Sequence, residues 1–374
     1  MKIVVAGTRG IPNVQGGVET HCEELYPRLV KLGCEITVVR RSCYVASNNK
    51  IKSYKGVKLK DIYAPRQKYI EALLHTFLAV LYAKKTKADI LHIHAVGPAL
   101  LTPFARLLGL KVVFTHHGHD YDREKWGKFA KLILKLGERT GCRFANGVIV
   151  ISDMINNNVK RLYNCNDAHL IYNGVSAPNF INDTSYLDEL GVEPGGYIFA
   201  MGRFVPEKNF HRLINSFSAL NRHDCKLVLA GDADHEDDYS HFLKQQAKKN
   251  GIILTGFIKG EKLHALLTHA RFFVLPSSHE GLPISLLEAM NYRLPILASD
   301  IPANLEVGLP AENYFKVGNE KELTIRLQEY INTSFQKINY QMDKYQWNKV
   351  AEQTMEIYKK IVLKSIVNPI NLFL

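Results

Sequence analysis

The feature that most constrains the fold is an alternation of short apolar runs with helical stretches, which occurs twice along the 374 residues. Runs rich in β-branched residues, such as 2–6 and 111–115, alternate with helical stretches such as 18–32 and 70–84. Alternation of this kind predicts parallel strands joined by covering helices. The pattern begins again after residue 173, and the chain is long for a single core. We therefore expect two doubly wound α/β domains, which would face each other across a cleft.

Charge is distributed unevenly along the chain, whose formal net charge is +12. Residues 1–172 contain 27 Lys and Arg against 13 Asp and Glu, a balance of +14, whereas residues 173–374 contain 21 against 23, a balance of −2. A basic first half suggests an anionic partner, such as a membrane surface, a nucleic acid or an anionic substrate. Lysines on solvated helix faces explain part of the excess.

Composition indicates a globular cytoplasmic enzyme. Hydrophobic residues make up 46% of the chain and charged residues 22%, as in soluble proteins. The first residues, Met-Lys-Ile-Val-Val-Ala-Gly, indicate a strand rather than a secretion signal, and no apolar run reaches the roughly 20 residues that span a bilayer. Six cysteines without a C-x-x-C pair argue against a structural zinc site and fit a reducing compartment.

The most informative motif is His-Glu-Gly-Leu-Pro-Ile-Ser-Leu-Leu-Glu-Ala-Met at residues 279–290. It follows an apolar run at 271–275 that predicts a buried strand. Pro283 is expected at the first helical position, where a missing N–H costs nothing. Glu280 would then lie on the loop and Glu288 on the helix, with an anion-attracting helix N-terminus between them. Acidic residues near a helix start also have a purely structural explanation, because they complement the helix dipole.

A second motif, Gly-Arg-Phe-Val-Pro-Glu-Lys-Asn at residues 202–209, follows a predicted strand at 197–201. Arg203 and Lys208 place two cations on one loop, which opens a helix capped by Asn209. A pyrophosphate fits such a pair, because arginine offers a planar fork and lysine a point charge. For either cation alone, solvation at the surface would be the simpler explanation.

A glycine-containing loop at residues 7–17 follows the first predicted strand. Gly16 and Gly17 would let backbone N–H groups approach a phosphate or a sugar. The loop is neither a G-x-G-x-x-G fingerprint nor a P-loop, which disfavours dinucleotide and NTPase functions. The alternative is a turn that serves strand-to-helix geometry alone.

A histidine-rich segment, Thr-His-His-Gly-His-Asp at residues 115–120, follows another predicted strand. Its spacing is too tight for an H-E-x-x-H zinc helix, and the glycine indicates a loop. We expect a loop facing substrate, with His116 directed back into the fold.

A basic helix is predicted at residues 125–139, with four cations opposite Phe129, Ile133 and Leu136. Such a helix, with Trp126 at its start, suits an anionic membrane surface. An ordinary helix with an apolar core face and a solvated basic face explains the pattern equally well.

Together these residues resemble the retaining glycosyltransferases of family 4, which have the GT-B fold, over nearly the whole chain. The shared motifs are the Glu-x7-Glu segment at 280–288, the loop at 202–209, Gly256-Phe257-Ile258, and Trp347 with a terminal helix containing Tyr358-Lys359-Lys360. The N-terminal segment, Gly-Thr-Arg-Gly-Ile-Pro followed by Gly-Gly-Val-Glu-Thr, is similar to bacterial surface-polysaccharide rhamnosyltransferases. Val14-Gln15 stand where those proteins have an aromatic residue before the glycine pair.

The resemblance implies roles for residues of the second half. Arg203 and Lys208 would hold the donor diphosphate and neutralise the leaving group. Glu288 would bind the ribose hydroxyls. Glu280 would bind sugar hydroxyls near the reacting carbon without acting as a nucleophile. The remaining donor contacts would come from backbone at Gly281, Leu282, Pro283 and Ile258.

The resemblance also implies roles for residues of the first half. Gly16 and Gly17 would approach the diphosphate, and His117 would be the active-site histidine. Residues 1–175 would form an acceptor domain and residues 176–351 a donor domain. A terminal helix over about 352–374 would pack back on the first domain.

The implied function is metal-independent, retaining hexosyl transfer, with rhamnose as a candidate sugar. The donor would be linked to dTDP or UDP, and the acceptor would be a polysaccharide precursor on a lipid diphosphate. We expect no cofactor, no metal and no nucleic acid, and a location in the cytoplasm that includes the inner face of the cell membrane. Two alternatives are a nucleotide-sugar 2-epimerase on the same fold and a non-catalytic nucleotide-sugar-binding protein.

Overall fold

A computed structural model describes the chain over residues 1–45, 49–67, 70–122, 126–234, 236–334 and 337–367. The chain divides into two compact units. The first unit comprises Met1–Gly174 together with the chain from Tyr345 onward, and the second is Val175–Lys344. Within the described ranges, no helix combines the length and the apolar character needed to cross a membrane.

The first unit is built on an eight-stranded sheet. Strands β1 to β8, in chain order, are Lys2–Ala6, Glu35–Arg41, Ser53–Tyr54, Val57–Ile62, Ile90–His94, Val112–His116, Gly147–Val150 and His169–Leu170. Their order in the sheet is β3-β4-β2-β1-β5-β6-β7-β8. Neighbours run parallel except for β3, which is antiparallel to β4. The two-residue β3 was not predicted, because so short a strand shows no alternation.

Helices follow most of these strands. Helices α1 to α5 are Gly17–Lys31, Glu71–Lys85, Thr102–Leu107, Lys128–Phe144 and Asp153–Tyr163. Strand β7 is buried along its whole length, and β1 is buried at residues 3–6, which explains why both appear as apolar runs rather than as alternating ones. The predicted start of α4 at Lys125 lies outside the described residues.

The second unit contains a six-stranded parallel sheet. Strands β9 to β14 are Tyr197–Met201, Lys226–Ala230, Ile253–Leu254, Phe272–Leu275, Ile296–Ser299 and Tyr314–Phe315. Their order is β11-β10-β9-β12-β13-β14. Helices α6 to α12 are Ser185–Leu190, Phe210–Ser218, Asp238–Lys249, Glu261–His269, Ile284–Asn291, Pro302–Leu305 and Glu320–Asn332. Helix α6 precedes β9, the first strand of this unit.

Helix α7 shows how the sequence pattern produces the core of this unit. Phe210, Leu213, Ile214 and Phe217 are buried, and Leu220 packs against the same cluster. Their spacing places them on one face of a helix, so the predicted apolar face of α7 is the one that packs on the sheet.

The last helix, α13, spans Trp347–Val367 and belongs to the first unit. It packs against α1, and it begins earlier than the predicted start near 352. Each unit is thus an α/β domain with a mostly parallel, doubly wound sheet, and the predicted fold class is confirmed.

Helix α4 presents large apolar side chains to solvent, so the explanation of an ordinary helix with an apolar core face is wrong. Phe129 and Leu136, which that explanation places on the core side, are exposed. The buried residues are instead Leu134, Gly137, Glu138, Gly141 and Cys142. Little space separates this side of α4 from the residues it packs against. A Cβ on Gly141 would lie 2.8 Å from the Phe114 ring, and a Cβ on Gly137 would overlap the Val96 carbonyl. Small residues, rather than large apolar ones, therefore face the core.

Candidate active site

The loop after β9 carries both predicted cations. Gly202 continues the strand, and its N–H donates to the Ala230 carbonyl at 2.9 Å. A Cβ on Gly202 would lie 3.2 Å from Cε of Lys208, so the glycine leaves room for the lysine side chain to run back along the loop. A short 3-10 turn at Pro206–Lys208 leads into α7. Arg203 and Lys208 therefore both lie at the carboxyl end of a central strand.

Lys208 forms an ion pair with Glu280 on the loop after β12. Lys208 Nζ lies 2.5 Å from Glu280 Oε1, and the side chains are 14% and 11% exposed. Burial raises the pKa of Glu280, but the charge of Lys208 and its hydrogen bond outweigh that effect and lower the pKa below its ordinary value. The carboxylate is ionised at neutral pH and holds the ammonium at the strand ends. Gly281 and Leu282 carry the chain from Glu280 to α10.

Arg203 forms a second ion pair, with the loop after β10. Its Nη1 lies 2.7 Å from Asp234 Oδ2. The neighbouring Asp232 is 2.9 Å from Nζ of Lys244 on α8. Asp232 and Asp234, which flank Ala233, thus both contact basic side chains of the protein itself.

Hydrogen bonds join the loops after β9 and β12, which are adjacent strands. The Ser278 N–H donates to the Glu207 carbonyl at 2.8 Å, and Asn209 Nδ2 donates to the Pro276 carbonyl at 3.1 Å. Asn209 was predicted to cap α7, but its φ of 53° is left-handed and its side chain makes no capping hydrogen bond. Its amide bridges the two loops instead and helps fix them to each other.

Helix α10 begins one residue later than predicted. Pro283 has an extended backbone and is the N-cap residue, and Ile284 is the first helical residue. The Pro283 carbonyl accepts from the N–H of Leu286 and of Leu287. A proline side chain offers no acceptor to the first N–H groups, so the helix start keeps its positive character. Glu288 lies on the helix and is half-buried.

Ile258 lies on the loop after β11, where it is half-buried. This loop is tied to the loop after β10 by a hydrogen bond from the Gly231 N–H to the Gly256 carbonyl at 2.8 Å. Gly256 has a φ of 67°, which suits glycine. The predicted donor-binding residues of the second unit therefore lie on neighbouring strand ends of one sheet.

The loop after β1 in the first unit is held closed by an ion pair between Arg9 and Glu19. Arg9 Nη2 lies 2.8 Å from Glu19 Oε2 and 2.6 Å from the Gln15 carbonyl. Gly16 has a φ of 143°, and a Cβ there would overlap both charged side chains. A Cβ on Gly17, the first residue of α1, would meet nothing within 4 Å. The two glycines thus differ. Gly16 is needed for the backbone conformation and close packing of the loop, whereas Gly17 borders open space.

His117 follows β6 and belongs to a cluster of histidines. Its Nε2 lies 2.8 Å from Nδ1 of His94 at the end of β5, and its ring meets the edge of the His21 ring at a centroid distance of 4.8 Å. Burial, followed by the neighbouring histidines, lowers the pKa of His117 well below its ordinary value. His117 is therefore neutral at physiological pH.

The other histidines of this cluster are buried and hydrogen-bonded. His21 Nδ1 donates to Asn173 Oδ1 at 3.0 Å. The Tyr26 hydroxyl lies 2.5 Å from Nε2 of His94. His92 Nδ1 lies 2.5 Å from the Tyr358 hydroxyl of α13. Hydrogen bonds therefore connect α13 with the strands that lead to His117.

His116 points into the fold, towards α4. Its Nε2 lies 2.6 Å from Oε1 of the buried Glu138, and its Nδ1 accepts from the Gly118 N–H at 3.1 Å. The Tyr163 hydroxyl donates to Oε2 of Glu138 at 2.7 Å. Because Nδ1 accepts, the proton of a neutral His116 is on Nε2, and His116 braces the loop that carries His117.

Among the residues that the structure describes, two groups of side chains have spacing compatible with a metal ion. They are His21 with His94 and His117, and His116 with His119 and Glu138. In the first group a cation would have to displace the hydrogen bond between His94 and His117. In the second, Nε2 of His116 carries the proton that Glu138 accepts. Both arrangements are explained as hydrogen-bond networks.

Sequence reasoning missed several residues around the predicted ones, namely His21, His92, His94, Asp234 and Glu138. A signal existed for His92 and His94, because residues two apart on a strand share a face. Asp234 and Glu138 offered no local signal, since their partners come from other strands and depend on the sheet order.

Comparisons with known proteins agree with the fold and identify the family of each half of the chain. Residues 15–177 match the family described as "Glycosyltransferase Family 4", and residues 188–347 match "Glycosyl transferases group 1". An uncharacterized glycosyltransferase, MJ1607, of Methanocaldococcus jannaschii is 24% identical over 96% of this chain and 98% of its own. The UDP-Gal:alpha-D-GlcNAc-diphosphoundecaprenol alpha-1,3-galactosyltransferase of Escherichia coli is 30% identical over 59% of this chain and 60% of its own.

A solved structure has the same fold. Anabaena Alr3699/HepE in complex with UDP-glucose superposes with a TM-score of 0.74 at 18% identity, covering 98% of this chain and all of that one. The two family matches fall on the two α/β units in turn. The chain is therefore a glycosyltransferase of the GT-B fold, with a family 4 domain followed by a group 1 domain.

Proposed function

We propose that the protein transfers a sugar from a nucleoside diphosphate sugar with retention of configuration and without a metal ion. The observation that carries this proposal is the pair of cations on one loop, Arg203 and Lys208, next to Glu280 and the start of α10. Departure of a nucleoside diphosphate builds negative charge, and cations fixed in advance stabilise it. Two fixed cations can supply the compensation that a divalent metal provides in other transferases.

Donor binding would exchange one set of anions for another. The diphosphate would replace Asp234 on Arg203 and Glu280 on Lys208. Glu280, once released from the ammonium, would accept hydrogen bonds from sugar hydroxyls. Glu288 would bind the ribose from the helix that follows. The catalytic role of His117 stays a prediction, and a neutral imidazole suits a hydrogen bond to a hydroxyl better than charge stabilisation.

The reaction we propose is a front-face displacement. The bond from the anomeric carbon to the diphosphate oxygen breaks, and the acceptor oxygen bonds to the same face of that carbon. The acceptor proton passes to the departing phosphate oxygen, so no protein nucleophile is needed. The paired, low-pKa carboxylate of Glu280 fits a binding role.

The donor and the acceptor are the finer part of the proposal. A relative named for transfer from UDP-Gal to a diphosphoundecaprenol-linked sugar supports a lipid-diphosphate acceptor, and a complex with UDP-glucose supports a nucleotide-sugar donor. The N-terminal motif favours rhamnose from a dTDP-linked donor as one candidate. Such an acceptor would place the enzyme at the inner face of the cell membrane.

A transfer assay tests the proposal directly. The full chain is incubated with UDP-glucose, UDP-galactose or dTDP-rhamnose and a synthetic lipid-diphosphate-linked sugar, with and without EDTA. We expect turnover with one donor, no loss in EDTA, and a product that keeps the donor's anomeric configuration by NMR. An inverted product, or activity that returns only with added Mg²⁺, would overturn the mechanism. A free 2-epimer without acceptor would indicate an epimerase, and donor binding without turnover would overturn enzymatic activity.

A further inference from the structure

Helix α4 of the first unit presents a row of large apolar side chains to solvent. Phe129, Leu132 and Leu136 are 75%, 63% and 47% exposed. Steps of three and four residues place them along one stripe, on the side opposite the buried row that includes Leu134 and Glu138. Contiguous exposed apolar surface is typical of a protein or membrane interaction site.

Basic side chains border this stripe. Lys128, Lys135, Arg139 and Arg143 are exposed, and Lys131 is half-buried. The one acidic residue of α4, Glu138, is fully buried against His116. The exposed surface of the helix is therefore apolar and cationic, without a negative charge of its own.

The neighbouring helices α2 and α3 also carry exposed apolar and basic side chains. Helix α4 packs on α3, and α3 ends at Leu107, which is 85% exposed. The Phe104 ring of α3 stacks on Phe77 of α2 at a centroid distance of 5.2 Å. Lys84 and Lys85 end α2, and its one acidic residue, Glu71, is buried in an ion pair with Arg41.

We propose that the α4 face docks on the surface of a bilayer that contains anionic lipids. Phe129, Leu132 and Leu136 would enter the boundary between headgroups and acyl chains, and the bordering cations would bind lipid phosphates. A two-fold dimer through this face would bring two cationic rows together without an exposed acidic residue on α2, α3 or α4, because Glu71 and Glu138 are buried. Charge complementarity therefore favours lipid over a second copy of the chain.

The docking face adds a membrane partner to the proposed function. It rests on that function in one respect, because a lipid-linked acceptor is the reason for the enzyme to bind a membrane. Lipid binding is measured without donor or acceptor. Failure to bind vesicles and failure to transfer sugar are therefore separate results.

Co-sedimentation of the full chain with vesicles tests the proposal. We expect binding to phosphatidylcholine vesicles that contain phosphatidylglycerol, weakening at high salt, and little binding to phosphatidylcholine alone. The triple variant Phe129→Ser, Leu132→Ser, Leu136→Ser should lower the partition coefficient by at least about tenfold. The variant Lys135→Gln, Arg139→Gln should lower it by about fivefold for each cation removed at low salt.

Matched controls come from the second unit, where Phe242 on α8 and Ile325 on α12 are 53% and 59% exposed. Serine at those two positions should leave vesicle binding unchanged. All variants should keep the unfolding temperature of the parent, because they change exposed side chains. Full vesicle binding by the triple serine variant would overturn the proposal. So would a dimer in analytical ultracentrifugation, or binding to single-stranded RNA, that the triple serine variant abolishes.

Discussion

Lys208 and Glu280 form an ion pair that joins the ends of two neighbouring strands, β9 and β12, across 72 residues of sequence. The pair lies where a donor diphosphate is proposed to bind, and both side chains are mostly buried. Removing one member of a buried pair leaves an uncompensated charge, which costs about 3–5 kcal/mol of stability. Activity tests at this site therefore need variants that change both partners.

The double variant Lys208→Met, Glu280→Gln removes both charges of the pair. We expect it to stay folded and to lower kcat/KM by about 10²–10³, the usual cost of losing one group that stabilises a developing negative charge. The single variant Lys208→Met should lose stability as well, because Glu280 keeps its charge. Steady-state kinetics and urea unfolding separate the two effects. Parental kcat/KM in the double variant would refute the role of Lys208.

Gly16 and Gly17 should respond differently to alanine. Gly16→Ala should destabilise the first unit by about 1–3 kcal/mol, because of its positive φ and because a Cβ would overlap Arg9 and Glu19. Gly17→Ala has open space and should leave stability unchanged. If Gly17 approaches the donor, Gly17→Ala should still raise KM for the donor by about tenfold, because a methyl group blocks a close phosphate contact. Thermal unfolding measures the stability of each variant, and donor titration measures its KM. An unchanged KM in Gly17→Ala would show that Gly17 does not contact the donor.

The buried histidines should make stability sensitive to acid. Burial lowers the pKa of His21 to about 4, despite its hydrogen bond to Asn173, and it lowers that of His92 to about 3. As pH falls below about 6.5, the unfolded chain gains protons that the folded chain does not bind, so stability decreases. Each such histidine contributes a slope of about 1.4 kcal/mol per pH unit.

Urea unfolding over a pH series measures that slope. His21→Gln keeps a donor for Asn173 and should reduce the slope by about one histidine's share between about pH 5 and pH 6.5. His241→Gln is the control, because His241 lies on α8 with a side chain that is 58% exposed. An unchanged slope in His21→Gln would show that His21 is protonated in the folded protein.

Glu138 should act as a positioning residue for His117. Glu138→Ala would leave the His116 Nε2–H and the Tyr163 hydroxyl without their acceptor, at a cost of about 1–3 kcal/mol for each buried group. Glu138→Gln can still accept from His116 and donate to Tyr163, and should restore most of the stability. If His116 braces the loop, kcat should fall in the alanine variant at temperatures where it is fully folded and recover in the glutamine variant. Equal kcat in all three proteins would limit Glu138 to a structural role.

The sequence allowed the strands and the order of motifs to be predicted, because strands covered on both faces appear as apolar runs. It could not supply the partners of the site residues. Asp234 reaches Arg203 because β10 lies beside β9, and the Tyr358 hydroxyl reaches His92 across 266 residues. The sheet order and the return of α13 are global properties that no local pattern contains.

The sequence left two explanations of α4 open, and the space beside the sheet decides against the one with an apolar core face. Apolar periodicity normally identifies the core face of a helix. Here the space on the sheet side admits only glycine at 137 and 141, so the large side chains of Phe129 and Leu136 lie on the opposite side, in solvent. Close approach of a backbone to a sheet is visible only in three dimensions.

The ion pair between Arg203 and Asp234 has a consequence for the end of the catalytic cycle. After transfer, a nucleoside diphosphate carries more negative charge than the donor did, and unscreened cations would retain it. Asp234 can compete for Arg203 as soon as the phosphates loosen. We therefore expect the aspartate to limit product inhibition, so that Asp234→Asn would bind the released nucleotide more tightly and turn over more slowly.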